Sequence, residues 1–420
     1  MAVASPLARY LEQAARQAPQ RPALFHGGDS WTQAMLWANA SALAARLERQ
    51  ATCVAVSGDS LCLARHAWAS AIAGRPFWPL PAGEAAATAT IAEDSALIIS
   101  TSGSEGRRRA VRLGPAALDS AAAGANQRLA LGAGDLWLNC LPLYHIGGQA
   151  ILWRCARAGA GMLLHDGFHA AQVATDLARF PVSHISLVPA MLAALLDLAI
   201  TPPPGLRVAL IGGAALAAPL YERATAAGWP LWPSYGMTES AALVAVHAPD
   251  DGPWQAGLVG RPLPGMELAI GDDGRIRLRG RQLMRGYLDG GGLAGDGWLI
   301  SGDLGQIDAN GCLTVIGRAD DMLISGGRNV HPQEIESCLA ACPGIRDVAV
   351  SGLADPVWGD LIVALVVGTA GLAALQAHAR QHLPAAALPR RVTYLDSLPR
   401  NAAGKLDRPA LRQLAAGVRS

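Results

Sequence analysis

The stretch SALIISTSGSEGRRRAV, residues 95–111, joins a short apolar run to a hydroxyl-rich turn and then to three arginines. Residues 100–106 carry four hydroxyl side chains and two glycines. Such a turn after a buried strand offers backbone N–H groups and hydroxyls to phosphate oxygens, and arginines add charge-assisted hydrogen bonds. It is not a Walker A loop, because the Gly-Lys-Ser/Thr signature is absent. The stretch predicts either a phosphate-binding loop or a solvated basic turn.

Working outward, apolar runs of strand length alternate with segments of helical periodicity. The predicted strands are 52–58, 95–100, 136–142, 182–188 and 206–213, and the predicted helices are 116–131, 170–180 and 189–199. Repeated alternation of this kind predicts an α/β fold with a parallel sheet covered by helices.

The sequence pattern changes from about residue 255. Short strands with Gly and Asp turns predict a small β-subdomain, and the last hundred residues predict a small, separate α+β domain containing a helix within 331–344. We therefore expect a large domain followed by a small C-terminal one.

Composition excludes several classes of function. The chain has 420 residues, a net charge of +1 and 51% hydrophobic residues, which gives no electrostatic reason to expect nucleic acid or an anionic membrane as a partner. Seven cysteines without a paired motif predict reduced thiols and a cytoplasmic protein. Residues 1–24 have the pattern of an amphipathic helix and not of a secretion signal.

Three later stretches carry chemistry. SYGMTES, residues 234–240, places an aromatic ring, a hydroxyl and a carboxylate together, and such a carboxylate can hold Mg²⁺. Residues 301–336 bring Asp303 and Arg318 before a Gly-rich turn, and LPRNAAGKLDR, residues 398–408, holds Lys405. A turn aspartate and a solvated lysine are the ordinary alternatives for Asp303 and Lys405.

Taken in this order, the motifs resemble those of the acyl-adenylate-forming (AMP-binding) superfamily, which includes acyl-CoA synthetases, peptide-synthetase adenylation domains and luciferases. The resemblance runs from about residue 95 to 408. LPLYHIGGQAILWR and ISGGRNVHPQEIE look most like the o-succinylbenzoate–CoA ligases, and GLADPVWGD looks like the aryl-CoA ligases.

The resemblance implies a binding site for ATP and Mg²⁺. The residues it implies for the phosphates are Thr101, Ser102, Gly103, Ser104, Gly106 and Arg109, and those for the adenosine are Gly212, Gly213, Ala214, Tyr235, Gly236, Asp303 and Arg318. Thr238 would bond the α-phosphate, Glu239 would hold Mg²⁺, and Lys405 would reach the α-phosphate and carboxylate oxygens. The family's Pro-Lys-Gly is here Arg108, Arg109 and Ala110, so that Arg109 keeps only the lysine's charge.

Further positions follow from the same resemblance. His145 would lie beside the substrate carboxylate, although a histidine after an apolar run is more often packed in a core. Asp320 would be the hinge between a large domain over residues 1–319 and a mobile lid domain over residues 320–420, about which the lid rotates. Rotation would bring Gly326 and Gly327 to the pantetheine arm, and Trp358 would stack on the adenine of coenzyme A or simply pack between domains.

The implied activity is that of an AMP-forming acid–thiol ligase. A carboxylate, preferably an aromatic one such as o-succinylbenzoate or a benzoate, would form acyl-AMP and then a thioester of coenzyme A. The alternatives are a ligase that loads a carrier protein's phosphopantetheine and a non-catalytic binder of acyl groups or nucleotides. Such a chain could also form a homodimer.

Overall fold

The fold is described from a computed structural model that covers residues 5–48, 53–85, 91–92, 94–101, 109–401 and 404–417. The helices are α1 Pro6–Gln17, α2 Gln33–Leu47, α3 Ser60–Ile72, α4 Pro115–Leu129, α5 Ile146–Ala158, α6 Ala170–Arg179, α7 Pro189–Asp197, α8 Ala218–Ala226, α9 Pro332–Ala340, α10 Leu372–Ala379 and α11 Arg408–Ala415. In this part of the chain, none of them has the length and apolarity that crossing a bilayer requires.

The strands alternate with these helices in the first half of the chain and follow one another closely in the second. They are β1 Pro22–His26, β2 Asp29–Thr32, β3 Val54–Ser57, β4 Phe77–Leu80, β5 Leu97–Thr101, β6 Arg109–Leu113, β7 Leu136–Asn139, β8 Gly161–Leu164, β9 His184–Leu187, β10 Val208–Ile211, β11 Leu231–Met237, β12 Ala242–Val246, β13 Leu258–Pro262, β14 Met266–Ile270, β15 Arg275–Gly280, β16 Gly286–Tyr287, β17 Leu299–Ile307, β18 Leu313–Arg318, β19 Leu323–Ser325, β20 Arg328–Val330, β21 Ile345–Asp355, β22 Gly359–Gly368 and β23 Arg391–Tyr394.

The predicted parallel sheet is present. Strands β8, β7, β9, β10 and β11 are hydrogen-bonded neighbours in that order, and each pair is parallel. Every residue of β7, β8, β9 and β10 is buried, as expected when helices cover both faces of a parallel sheet. The short continuous apolar runs in the sequence therefore mark its centre, which confirms the predicted α/β class.

The predicted β-subdomain does not form a separate sheet. From β11 onward the pairing turns antiparallel through β12 and β13, and strands β18, β17, β15 and β14 extend the same hydrogen-bonded path. The change in sequence pattern near residue 255 thus accompanies a change from parallel to antiparallel strand pairing within one long sheet.

The quoted stretch lies in a second sheet of five strands, ordered β16-β6-β5-β4-β3. Strands β5 and β6 are antiparallel, with Thr101 opposite Arg109. The last of the three arginines therefore begins a strand. Residues 102–108, which connect these strands, lie outside the described part of the chain.

A third sheet, ordered β20-β19-β22-β21 with β23 parallel to β22, is built from residues after 322. Its two faces carry their own apolar clusters, one around Ile335 and Leu375 and the other around Leu365 and Leu411. Strand β18 ends at Arg318 and β19 begins at Leu323, so the predicted hinge residue Asp320 lies in the connection. The boundary at residues 319/320 stays a prediction.

Candidate active site

The candidate site begins where the parallel strands β9, β10 and β11 end. Carboxyl ends of parallel strands are the usual place for ligands in open α/β sheets. Gly212 and Gly213 follow β10, and Gly213 has a φ of +81°. A Cβ at Gly212 would lie 2.8 Å from Ser234 Oγ on β11, and one at Gly236 would overlap the Ala242 carbonyl oxygen. Glycine at 236 is therefore required by close packing against backbone, and a side chain at 212 would require the Ser234 hydroxyl to shift.

Asp303 and Arg318 are partners in the register of β17 and β18. Arg318 Nη1 lies 3.3 Å from Asp303 Oδ1, and Tyr235 Oη donates to Asp303 Oδ2 at 2.6 Å. Burial raises the pKa of Tyr235 well above its usual value, and the charge of Asp303 raises it further. The Tyr235 hydroxyl therefore keeps its proton and donates to the carboxylate. The structure thus brings three predicted nucleotide ligands into one hydrogen-bonded group.

Thr238 and Glu239 lie in a one-turn 3₁₀ segment between β11 and β12. Backbone strain follows this turn, because Ala241 and Ala242 have φ values of +53° and +90°, a region that residues with a Cβ rarely occupy. Gln282 Nε2 donates to the Ser240 carbonyl at 2.9 Å and holds the turn from outside. Strain supported by neighbouring contacts is common at functional sites, and the Gln282 contact was not predicted from sequence.

The side chain of Glu239 suits a magnesium ion that is completed by a nucleotide. Glu239 Oε1 accepts a hydrogen bond from Tyr287 Oη at 3.0 Å, which leaves Oε2 for another partner. Among the described residues no cluster of three or more His, Cys, Asp or Glu side chains could hold a metal alone. Mg²⁺ does not need such a cluster, because it commonly takes one or two carboxylates together with substrate phosphates and water.

Lys405 reaches this site from the C-terminal part of the chain. Its Cε lies 3.5 Å from where a Cβ on Gly213 would stand, and a Cβ on the preceding Gly404 would meet Val188 Cγ2 at 2.8 Å. Asn401 Oδ1 accepts from the Lys405 backbone N–H at 3.1 Å and closes the turn that presents the lysine. Lys405 is also the only lysine in the chain.

The electrostatic surroundings of Lys405 connect it to the other candidate residues. Lys405 is an exposed residue by surface area, yet the protein around its ammonium group lowers its pKa below the usual 10.5 by desolvation. The charges of Asp303 and Glu239 oppose that shift, and the charge of Arg318 adds to it. The ammonium group therefore lies within the field of three other predicted site residues.

The residues predicted to form a phosphate loop, Ser102, Gly103, Ser104 and Gly106, lie outside the described residues. Thr101 Oγ1 donates to the Arg109 carbonyl at 3.0 Å across the β5–β6 pair. The Arg109 guanidinium binds Asp289 Oδ1 at 3.0 Å and the Gly290 carbonyl at 2.8 Å through Nη2, and lies 3.5 Å from the centre of the Tyr287 ring. Neither Asp289 nor Tyr287 was predicted from sequence.

His145 stands at the N-terminal end of α5, where it is half-buried and not enclosed in the core. Its ring centre lies 4.6 Å from that of Tyr144. A Cβ on Gly148 would approach the Pro142 carbonyl oxygen to 2.6 Å, so the Gly147-Gly148 pair lets α5 begin tightly against the preceding segment. This position is compatible with the predicted role beside a carboxylate.

Gly326, Gly327 and Trp358 form a second cluster within the C-terminal sheet. The two glycines make the turn between β19 and β20 with φ values of +56° and +74°, which suits a two-residue hairpin. Gly326 N–H donates to the Trp358 carbonyl at 2.9 Å, and the Arg390 guanidinium carbon lies 3.3 Å from the indole ring centre. Arg390 was not predicted, because only the fold brings it over Trp358.

A separate cavity of about 480 Å³ lies beyond the far end of β12, lined by residues that include His247, Asp251, Arg261 and Cys312. It shares no residue with the predicted site. The charged groups Asp303, Glu239 and Lys405, which interact electrostatically, therefore define the candidate active site, and this other cavity is not taken as the site.

Comparison with known families agrees with this geometry. The model described as AMP-binding enzyme matches residues 51–288, and the model described as AMP-binding enzyme C-terminal domain matches residues 334–405. The chain belongs to the family of AMP-binding enzymes, so the superfamily resemblance noted in the sequence is confirmed.

Individual relatives show which members of this family the chain resembles. A 2-succinylbenzoate–CoA ligase of Bacillus velezensis is 34% identical over 379 residues, which cover 86% of this chain and 77% of that protein. The o-succinylbenzoate–CoA synthetase of Bacillus subtilis with its acyl-adenylate intermediate matches with a TM-score of 0.85 at 27% identity, over 96% of this chain and 97% of that one. The same synthetase with ATP and magnesium matches with a TM-score of 0.84 at 27% identity, covering 96% of this chain and 98% of that one.

Proposed function

We propose that this protein is an ATP-dependent carboxylic acid–CoA ligase that acts on o-succinylbenzoate or a closely similar aromatic acid. The observation that carries the proposal is the placement of Lys405 beside Gly213 in the field of Asp303 and Glu239. A lysine brought in from the C-terminal part of the chain has little structural reason to lie against a nucleotide-type glycine turn and two carboxylates. The relatives named above supply the identity of the acid.

In the first step, a carboxylate oxygen of the acid attacks the α-phosphorus of ATP, and the bond to pyrophosphate breaks. Asp303 accepts hydrogen bonds from the ribose hydroxyls, and Arg318 donates a hydrogen bond to the ribose. Thr238 donates a hydrogen bond to the α-phosphate. Lys405 meets the negative charge that develops on the α-phosphate and carboxylate oxygens, and electrostatic stabilisation of this kind often contributes more to catalysis than any other effect. A magnesium ion at Glu239 would offset phosphate charge.

In the second step, a thiol attacks the acyl carbon and AMP leaves with the oxygen that came from the acid. Lys405 is no longer needed, and rotation about Asp320 would bring the Gly326-Gly327 turn to the pantetheine arm. The absence of side chains on this turn lets the backbone approach a thin substituent. His145, at the start of α5, is proposed to lie beside the reacting carboxyl group.

Coenzyme A is the proposed acceptor. The stacked pair of Trp358 and Arg390 presents an aromatic ring and a positive charge, which suit a base and a phosphate. A carrier protein's phosphopantetheine would lack the base, so kinetics with free coenzyme A and with a holo carrier protein distinguish the two acceptors.

The test is pyrophosphate exchange into ATP over a panel of carboxylic acids, followed by mass spectrometry of products formed with coenzyme A. We expect exchange that depends on o-succinylbenzoate and a product with the mass of its coenzyme A thioester. Exchange with none of the acids would favour the non-catalytic alternative, and exchange only with unrelated acids would overturn the assignment of substrate.

A further inference from the structure

Tyr287 occupies a position from which it holds the candidate metal carboxylate. It belongs to the two-residue strand β16, which pairs with β6 so that Tyr287 lies opposite Val111. Its hydroxyl donates to Glu239 Oε1 at 3.0 Å. A phenol hydroxyl can donate and an ionised carboxylate can only accept, so this contact runs from Tyr287 to Glu239.

The ring of Tyr287 is in turn supported by Arg109. The guanidinium carbon lies 3.5 Å from the ring centre, which is the geometry of a cation–π contact. Asp289 and the Gly290 carbonyl accept hydrogen bonds from the same guanidinium at 3.0 and 2.8 Å. The hydrogen bond to Asp289 raises the pKa of Arg109 above its usual value. The arginine thus has its flat face on the ring and its Nη2 on acceptors that follow the ring in the chain.

We infer that Tyr287 is a positioning residue that orients Glu239 for Mg²⁺, and that Arg109 acts on the reaction through the Tyr287 ring instead of by direct contact with phosphate. The inference deepens the proposed function and rests on it, because it assumes a magnesium ion at Glu239. It also gives Arg109 a role other than the pyrophosphate contact that the sequence resemblance implied.

The physical reason is the strict geometry of magnesium. Mg²⁺ demands nearly ideal octahedral coordination, and here one flexible glutamate is the candidate protein ligand. A hydrogen bond on Oε1 restricts the rotamers of Glu239 and leaves Oε2 to coordinate. Partners that orient metal ligands typically change metal affinity by about 10- to 100-fold when they are removed.

The same contacts connect two parts of the site. Arg109 is the first residue of β6, which is antiparallel to β5, and Glu239 lies in the turn after β11. The contact with Tyr287 therefore connects the start of β6 to the candidate metal carboxylate, so that displacement of Arg109 would change the position of Glu239.

The experiment measures Mn²⁺ binding by electron paramagnetic resonance in the presence of α,β-methylene-ATP, which needs no turnover. The variants are Tyr287→Phe, Arg109→Ala and the double variant. Tyr287→Phe keeps the ring and removes only the hydroxyl, and we expect about tenfold weaker Mn²⁺ binding. Arg109→Ala should weaken binding less, and should add almost nothing in the Tyr287→Phe background, since neighbours acting through one contact are not additive.

Tyr394→Phe is the matched control, because the Tyr394 hydroxyl also makes one hydrogen bond, to the Ala370 carbonyl at 2.9 Å in the C-terminal sheet. It should leave Mn²⁺ binding at the parent value, and all variants are measured below their unfolding temperatures. Parent-like binding in Tyr287→Phe would overturn the role of the tyrosine. An undiminished effect of Arg109→Ala in the double variant would mean direct contact with phosphate and would overturn the role of the arginine.

The two proposals fail separately. If no acid supports pyrophosphate exchange while Tyr287→Phe still weakens Mn²⁺ binding with the nucleotide analogue, the assigned reaction is wrong and the positioning role stands. If exchange proceeds as proposed and Tyr287→Phe binds Mn²⁺ like the parent, the positioning role is wrong and the reaction stands.

Discussion

Arg318 joins Asp303, the proposed ribose acceptor, to Asp320, the predicted hinge residue. Its Nη1 lies 3.3 Å from Asp303 Oδ1 and its Nη2 lies 2.9 Å from Asp320 Oδ2. The predicted hinge is therefore connected by one planar side chain to the group that would hold the nucleotide. Arginine suits this role because its fork of donors reaches two carboxylates at fixed angles, which a lysine cannot do.

Arg318→Lys should therefore damage nucleotide recognition while it keeps the charge. We expect the KM for ATP in pyrophosphate exchange to rise roughly tenfold, because a hydrogen bond to a charged group is worth about 1.5–3 kcal/mol. Selectivity for ATP over 2′-deoxy-ATP should fall as Asp303 loses its orientation. Arg16→Lys, on the exposed face of α1, is the control, and an unchanged KM and selectivity in Arg318→Lys would contradict the assignment.

Lys405→Ala should separate the two half-reactions. Acyl-AMP formation should fall by orders of magnitude, because the ammonium group opposes charge that builds up in the transition state. Thioester formation from preformed acyl-AMP and coenzyme A should remain close to that of the parent. Both rates are measured by rapid quench, and equal losses in the two half-reactions would rule out a lysine that serves only the first.

The lowered pKa of Lys405 predicts a pH dependence. Adenylation needs the charged ammonium form, so its rate should fall as pH rises through a pKa below the usual 10.5. Lys405→Arg stays protonated throughout, so its kcat/KM for ATP should lack this alkaline fall. Profiles of exchange from about pH 7 to 10 report the free enzyme's pKa values, and an identical alkaline limb in parent and variant would assign it to another group.

Trp358→Ala should affect only the second substrate. Base–aromatic stacking is worth about 1–3 kcal/mol per base, so the KM for coenzyme A should rise roughly tenfold. Pyrophosphate exchange should stay at the parent rate because it does not use coenzyme A. Pantetheine, which has no adenine, should be used equally well by both proteins, and an equal loss with pantetheine would mean that Trp358 is needed for packing alone.

The presence of a parallel sheet was predictable because its strands have recognisable local patterns, whereas the order of the strands was not predicted. Strand β10 is apolar throughout and β7 is apolar apart from Asn139, and that signal needs no knowledge of distant residues. The continuation of the sheet beyond β11 was not predictable in the same way. Antiparallel register depends on partners such as Asp303 and Arg318, which meet only when β17 and β18 pair.

The residues of the candidate site also differ in whether the sequence alone could identify them. Glu239 and Lys405 could be named from motifs because their chemistry is visible in the residue type. Tyr287 and Asp289 could not, because they meet Glu239 and Arg109 from 48 and 180 residues away, and no local pattern records such a contact. Sequence reasoning therefore named groups proposed to touch the substrates and missed residues that hold those groups in place.

The fate of the carboxylate oxygen tests the central claim most directly. The protein is incubated with ATP, coenzyme A and o-succinylbenzoate whose carboxyl groups carry ¹⁸O, and the phosphorus products are analysed by mass spectrometry. Attack of the carboxylate on the α-phosphorus predicts one ¹⁸O atom in AMP and none in pyrophosphate. Unlabelled AMP, or label in inorganic phosphate accompanied by ADP, would contradict the formation of an acyl-adenylate.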